Sequence, residues 1–500
     1  MLRNILLSTL ALSSFTVAAQ IDNGAFTTTG RGAATTFVTD YQAIGINPAN
    51  LGWEWKTDHK VAFGIAEISG SLYTNAIGKS DLMDGINRDD SNPFTYAEKR
   101  QAAKDFIGKD YSINGDGTWF GIAVQFGSAG TFGFAVQDRL QWYSTFNETT
   151  SDLIFNGRTA DYFNYLVLDA FDGDTIANTG DLDQETADRV VRGLTDNPEE
   201  LSKILDGSRM SMQYFREYNL SYGRLITMRP EWQLYGGVGI KYLQGFGVID
   251  IQGGNKLEAY SALSPDFDID YGEVAQENPS TVTSGSGSSW NMKSVGSGFG
   301  FDVGANIIIK EKFKVGLAVN DIGSITWDGN IYTASDTLLW AMDSEGFNSL
   351  NFFDEANKVQ SDEGMFAWEG VKDKKVQLPS NFRGGFGYVI NEKAEVGLDI
   401  VVPMNDAPGN YEKMAWAVGG DYLAAEFLRL SLGISGGGNY GTNVPFGITF
   451  LAPSGVWEGG VAVRDMTTLF GDTNPNVSLA FGFLRFRVGS GSGSGSDDDI

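Results

Sequence analysis

The chain is 500 residues long and carries 63 acidic against 36 basic side chains, a formal net charge of -27, with one histidine and no cysteine. That balance argues strongly against nucleic acid as a partner, because neutralising phosphates needs an excess of Lys and Arg, and it leaves neither disulfides nor thiolate metal sites. With 64 glycines, 33 phenylalanines, 19 tyrosines and 11 tryptophans, the composition suits pleated surfaces, turns and interfacial rings.

Residues 1–19 read as a secretory signal: Arg3 is the basic head, Ile5 to Val17 the apolar run, and Val17 and Ala19 the small residues before cleavage at Gln20. Beyond it, no uninterrupted apolar stretch reaches the roughly 18 residues of a membrane helix. Either a protein soluble beyond the inner membrane or a β-barrel remains. Residues 20–59 show no strand alternation. They hold Gly30, Arg31, Gly32, Ala33, Ala34 and Asp40, then Asn47-Pro48-Ala49-Asn50-Leu51. Asn-Pro initiates turns, and the residues themselves leave two readings open, a periplasmic tail or a plug inside a lumen.

From residue 60 to 488 strand patterns recur evenly and no linker divides them, so one large barrel fits better than several soluble domains. Phe120, Ile122, Val124 and Phe126 alternate with small or polar neighbours, turn at Gly127 to Gly130, and are answered by Phe132, Phe134 and Val136. The design repeats across turns at Met228 to Glu231, Lys310 to Lys312, Asn391 to Lys393, Ala424 to Glu426 and Ala452 to Gly455. With an opening strand at Lys60 to Ile77 and a closing one at Asn476 to Val488, the expected fold is all-β, a transmembrane antiparallel barrel of about fourteen strands. In the closing strand, Val477, Leu479, Phe481 and Phe483 hold one phase while Leu484, Phe486 and Val488 hold the other. A bulge would reconcile them.

The opposite strand ends are joined by long segments, 79–117, 147–211, 253–298 and 328–376, the asymmetry of barrels with long external loops. Thr95 is expected to cap a helix over Ala97 to Ala103, and Asn197 to Glu200 to start another running to Leu205 before Gly207. Residues 489–500 read as a flexible Gly/Ser tail with an acidic end.

The stretch from Gly30 to Asp40 followed by Asn47-Pro48-Ala49 resembles the N-terminal hatch of the FadL-like outer-membrane family. Gly316 to Trp327 and Gln377 to Ile390 resemble strand signatures of its Bacteroidota branch, which includes PorV-like proteins. The resemblance covers nearly the whole mature chain and implies a fourteen-stranded barrel plugged by residues 20–59, with Asn47, Pro48 and Ala49 as the gating element. It implies two kinds of role: passage of hydrophobic small molecules through a hatch rearrangement, or binding of exported proteins within type IX secretion machinery. No ligand-contact residue carries over.

Catalysis is not expected. His59, the one histidine, falls at the join between hatch and first strand and reads as interfacial, and no spacing singles out a carboxylate pair. Asp266, Asp268, Asp270 and Glu277 have the spacing of a calcium loop, but Tyr271 stands where the invariant glycine belongs. A solvated acidic loop is the simpler reading, and no cofactor is expected. Trp142, Tyr143, Trp232, Tyr242, Trp327, Trp416 and Trp457 read as an interfacial girdle rather than a stacking site, and Gln137, Arg139, Gln141 and Lys241 as interior residues.

The leading expectation is a barrel in contact with outer-membrane lipid that passively admits a hydrophobic or amphipathic small molecule. It requires an apolar pocket between hatch and wall. The alternative is a non-transporting adaptor of a type IX secretion or surface-protein assembly complex, with a sealed lumen and secretion-complex proteins on its loops. A simple porin is weaker, because the hatch would block its pore.

Overall fold

The computed structural model describes residues 25–55, 59–89, 91–169, 174–267, 292–360, 364–452 and 455–490, together with 280, 285 and 287. Its 14 long strands form one closed antiparallel barrel. They are β1 (His59–Thr74), β2 (Tyr111–Gln125), β3 (Thr131–Thr145), β4 (Arg209–Arg229), β5 (Trp232–Gln252), β6 (Gly296–Ile309) and β7 (Phe313–Trp327). The second half comprises β8 (Asn381–Asn391), β9 (Ala394–Pro403), β10 (Ala415–Ala425), β11 (Leu428–Gly437), β12 (Phe446–Leu451), β13 (Trp457–Val463) and β14 (Asn476–Ser490). Each strand pairs with its neighbours in chain order. β1 then pairs with β14, from His59 opposite Ser490 to Tyr73 opposite Asn476, so the cylinder closes without a free edge.

Alternation sets the two faces of the wall. Outward-facing Val238, Ile240, Tyr242, Phe299, Phe301, Val303, Leu432 and Ile434 are each between 41% and 57% exposed. Inward-facing Asn219, Ser221, Lys241, Asp302 and Asn306 are buried. This is the inverse of a soluble protein, since leaving such a belt in water costs about 25 cal/mol per Å² of apolar surface. The expected bulge is present. Glu458 faces Arg485 while Gly460 faces Gly482, so β14 has one extra residue there and Phe483 and Leu484 both point outward. β1 answers with Ala66 at φ 54, which keeps Ile65 opposite Leu484 and Ile68 opposite Phe481.

The short turns fall at one end, with small shifts from expectation. At the β6–β7 hairpin Lys310 and Glu311 take φ 51 and 60, the left-handed pair that matches strand twist. The β10–β11 turn moves on to residues 426–427, because Ala425 still pairs with Leu428. Residues 1–24 and 491–500, which contain the signal and most of the tail, lie outside the described residues, and β14 runs two residues into the stretch read as tail.

At the other end the long loops fold over the barrel as a cap. Leu82, Phe106, Tyr111, Trp142, Phe155, Phe163, Met210, Phe347, Phe352 and Trp368 belong to one buried apolar cluster there. A small sheet of Tyr165–Leu168, Thr175–Ala177, Val190–Leu194 and Ala341–Met342 packs into it. The helix capped by Thr95 runs over Tyr96–Asp105, with Glu98 completing a capping box. The second expected helix is only Leu201–Ile204, because Glu199 and Glu200 pair instead with the extended chain at Leu338 and Leu339. The girdle reading needs correction at three positions. Trp142, Tyr143 and Trp327 are 2%, 6% and 0% exposed, buried under the loops, whereas Tyr242 and Trp416 remain outside and Trp232 and Trp457 are half-buried.

Candidate functional site

Residues 25–55 lie inside the barrel as a string of short turns, a helix at Phe26–Thr29 and 3-10 turns at Asp40–Ala43 and Pro48–Gly52. Asn47 starts the last of these. Its side chain accepts from Ala49 N at 3.1 Å, Pro48 occupies the first helical position where no amide is needed, and Asn47 Nδ2 donates to Ala305 O at 3.3 Å on β6. The wall beneath is a row of three cross-strand glycines, Gly223 opposite Gly237 and Gly237 opposite Gly304. A Cβ on Gly223 or Gly237 would sit 2.3 or 2.2 Å from the Pro48 backbone, and one on Gly304 2.1 Å from Asn47 Oδ1. Asn47-Pro48-Ala49 thus rests on bare backbone. Asn320 Nδ2 of β7 donates to Gly45 O and Ile46 O at 3.0 and 2.9 Å, and Asn306 Nδ2 of β6 reaches Asn50 Oδ1 at 3.3 Å.

The rest of the segment is tied by charge. Asp40, fully buried and at φ 53, accepts from Arg485 and Arg487 at 2.8 and 2.9 Å, and Glu458 holds those arginines from the other side at 3.0 and 3.5 Å. Tyr41 OH donates to Glu67, and Gln42 Nε2 to the same carboxylate at 2.9 Å. Arg31 pairs with Asp421 at 2.8 Å, and Asp399 accepts from Ala34 N and Thr35 N, both at 2.7 Å. Paired glycines recur where these contacts form: Gly64 faces Gly121 under the Tyr41 ring, and Gly419 faces Gly433 under the Arg31 carbonyl. Every anchor joins the segment to a different part of the wall.

Between the segment and the wall lies a cavity lined by Gly45, Asp116, Thr118, Gln137, Arg139, Glu217, Asn320, Asp321, Asn381 and Arg383. Behind it, Lys241 is wholly buried among Asp321, Asp302 and Glu217 at 2.6, 3.2 and 3.3 Å, and Arg139 pairs with Asp321 at 2.9 Å. Gln137, Arg139, Gln141 and Lys241 therefore face the interior as expected. This cavity is lined by polar and charged side chains, unlike the apolar pocket expected between hatch and wall. Charges this deep persist only when paired.

His59 is half-buried at the start of β1, facing the end of β14. Asp266 is occupied locally, its carboxylate accepting from Gly287 N and Lys293 N at 2.7 Å each. Asp268, Asp270 and Glu277 lie outside the described residues, and among the described residues no cluster of three or more His, Cys, Asp or Glu is placed to hold a metal. Sequence reasoning passed over Glu67, Asp399, Asp421, Glu458 and the glycine rows. Arg485 and Arg487 left a trace, since the broken phase of the last strand put both on one face.

A family profile described as a family of unknown function, DUF5723, matches residues 175–454. No curated protein matches the chain. Among solved structures, a TodX monoaromatic hydrocarbon channel mutant is 13% identical, over 92% of this chain and 98% of that chain, with a TM-score of 0.42. The Pseudomonas putida toluene transporter TodX is 10% identical over 94% and 98%, at 0.41. A Pseudomonas aeruginosa FadL homologue is 12% identical over 94% and 98%, at 0.39.

Proposed function

The chain belongs to DUF5723, a family of unknown function, and from that premise we propose that it spans the bacterial outer membrane and passively admits small hydrophobic or amphipathic molecules, gated by residues 25–55. One observation carries this reading: the lumen is filled by a segment that adds no strand to the wall and is held by separate hydrogen bonds and ion pairs to many strands, with small apolar clusters between them. The wall is closed by its own strand pairing, so the segment can shift while the barrel stays closed. Asn47, Pro48 and Ala49 rest on a seat with no room for a side chain. The outward apolar belt supports the membrane placement, as does the export signal read in residues 1–19 of the sequence.

A second reading, an adaptor subunit of a type IX secretion or surface-protein assembly complex, draws on the folded cap, whose apolar core closes the long-loop end over a polar lumen. One variant separates the two. A Cβ on Gly387 would lie 3.2 Å from Thr36 Cβ, close to the spacing of a disulfide, so Thr36→Cys with Gly387→Cys ties the segment to β8 in a chain that has no other cysteine. Uptake of toluene and of dodecanoate is then compared in proteoliposomes of the oxidised and reduced variant. Uptake that appears only on reduction supports gating. Equal uptake in both states, at the level of empty vesicles, removes transport and leaves the adaptor reading.

A further inference from the structure

The loop between β13 and β14 ends its single 3-10 turn, Met466–Leu469, in the pair Leu469-Phe470. These side chains are 53% and 85% exposed, and no other large apolar side chain among the described residues is as exposed as Phe470. The turn beneath them is firmly braced. Asp465 accepts from Thr467 N and Thr468 N at 3.2 Å each and from both threonine hydroxyls. Thr468 Oγ1 accepts from Asn476 N at 3.0 Å, and Met466 N donates to Val444 O at 2.9 Å. The first long loop adds Lys79 Nζ to Thr468 O and Lys79 N to Asp472 O, both at 2.8 Å, with Ser80 N on Asp472 Oδ1 at 2.9 Å. The braced turn keeps Leu469-Phe470 displayed at the surface.

Its position identifies what covers it. Val461 is the exposed outward residue of β13, Val463 closes the strand, and Met466 begins the turn three residues later, so the turn sits at the rim of the belt. Below it the seam continues through outward-facing Phe481, Phe483, Leu484 and Phe486, with Phe481 and Phe483 rings 6.4 Å apart. Met404 and Met414, 56% and 50% exposed, flank the long-loop ends of β9 and β10 in the same way. The nearby carboxylate of Asp465 is held by the turn amides, and that of Asp472 by Ser80 N of the first long loop. We propose that Leu469-Phe470 is a lipid wedge: it enters the outer leaflet at the headgroup boundary, where aromatic rings are favoured, and fixes the height of the closing seam in the membrane. The occupant is the acyl chain of a membrane lipid.

The inference rests on the membrane-spanning reading, and its test separates the two. Nitroxide labels are placed singly at Phe470→Cys, at Leu469→Cys as a second probe, at Phe483→Cys within the belt and at Lys104→Cys on the cap, in phospholipid nanodiscs, with folding checked by heat-dependent gel mobility. Collision with oxygen is compared with collision with a water-soluble nickel chelate. The wedge is supported when positions 470 and 469 follow 483, with oxygen dominant. It is overturned when they follow 104, with nickel dominant, while 483 still reports lipid. Nickel dominance at 483 overturns the membrane reading and the wedge together. Labels at 470 and 469 that are closed to both reagents in native membrane vesicles show a protein partner there, which also overturns the wedge.

Discussion

Gly237→Ala tests the seat of Asn47-Pro48-Ala49 most directly. The new Cβ would lie 2.2 Å from the Pro48 carbonyl carbon, so Pro48 must retreat by about 1.2 Å to reach ordinary contact at 3.4 Å. That movement breaks Asn47 Nδ2 to Ala305 O and the two bonds from Asn320 to Gly45 O and Ile46 O. Three hydrogen bonds at about 1 kcal/mol each, plus about 2 kcal/mol for overpacking, weaken seating by about 5 kcal/mol. At about 1.4 kcal/mol per decade, the seating equilibrium falls by three to four orders of magnitude. The assay is the rate of disulfide formation between Thr36→Cys and Gly387→Cys, with Gly236→Ala as control, because that Cβ points outward and meets only the Ile226 side chain at 3.3 Å. Gly237→Ala should cross-link far more slowly while the barrel keeps its heat-dependent mobility. Cross-linking at the rate of the Gly236→Ala control would refute the reasoning.

Three further outcomes are expected. Asp40→Ala leaves Arg485 and Arg487 with Glu458 as their remaining carboxylate, so the loss sits at the lower end of the range for a broken buried pair, about 3 kcal/mol, read as a lower unfolding temperature on heat-dependent gels. Phe352→Ala empties a fully buried site among Phe106, Tyr111 and Trp142 and should cost about 3–5 kcal/mol, seen as faster proteolysis of the cap with the wall intact. Burial lowers the Lys99 ammonium to about 8 against the opposing pull of Glu345. Because the unfolded chain then binds more protons than the folded one between pH 8 and 10, cap stability should rise through that window by about 2 kcal/mol. Subtilisin nicking of the loops should slow from pH 7.5 to 9.5, and Lys99→Met should abolish the change.

The wall was legible because its signal is local. Period-two alternation and the turn residues place every hairpin within a residue or two, and even the bulge at Phe483 and Leu484 shows as a break in phase. The cap was not, because its strands at Thr175–Ala177 and Ala341–Met342 are too short to alternate and its aromatic core assembles from residues as distant as Phe106 and Phe352. Trp142 and Trp327 look like girdle residues in sequence. Only the loops lying over them decide otherwise. Asn47-Pro48-Ala49 stood out in the sequence as a turn, but the wall it rests on consists of glycines, which carry no side-chain pattern to read. Asp399 and Glu458 likewise look like any strand carboxylates until the turns at Ala34 and Asp40 are brought against them.

The ion pair between Asp40 and Arg485 spans 445 residues of sequence. Its partners, Glu458 included, lie on the last two strands to be made, whereas Asp40 precedes the first. Loop-closure entropy places such a contact late in folding. The segment cannot complete its charged anchor until β14 has met β1, and an arginine pair left facing the lumen opposes closure around an empty centre. Closure of the barrel and completion of the segment's charged anchor are therefore coupled. A chain truncated before Arg485 should stall with both its seam and its N-terminal segment open.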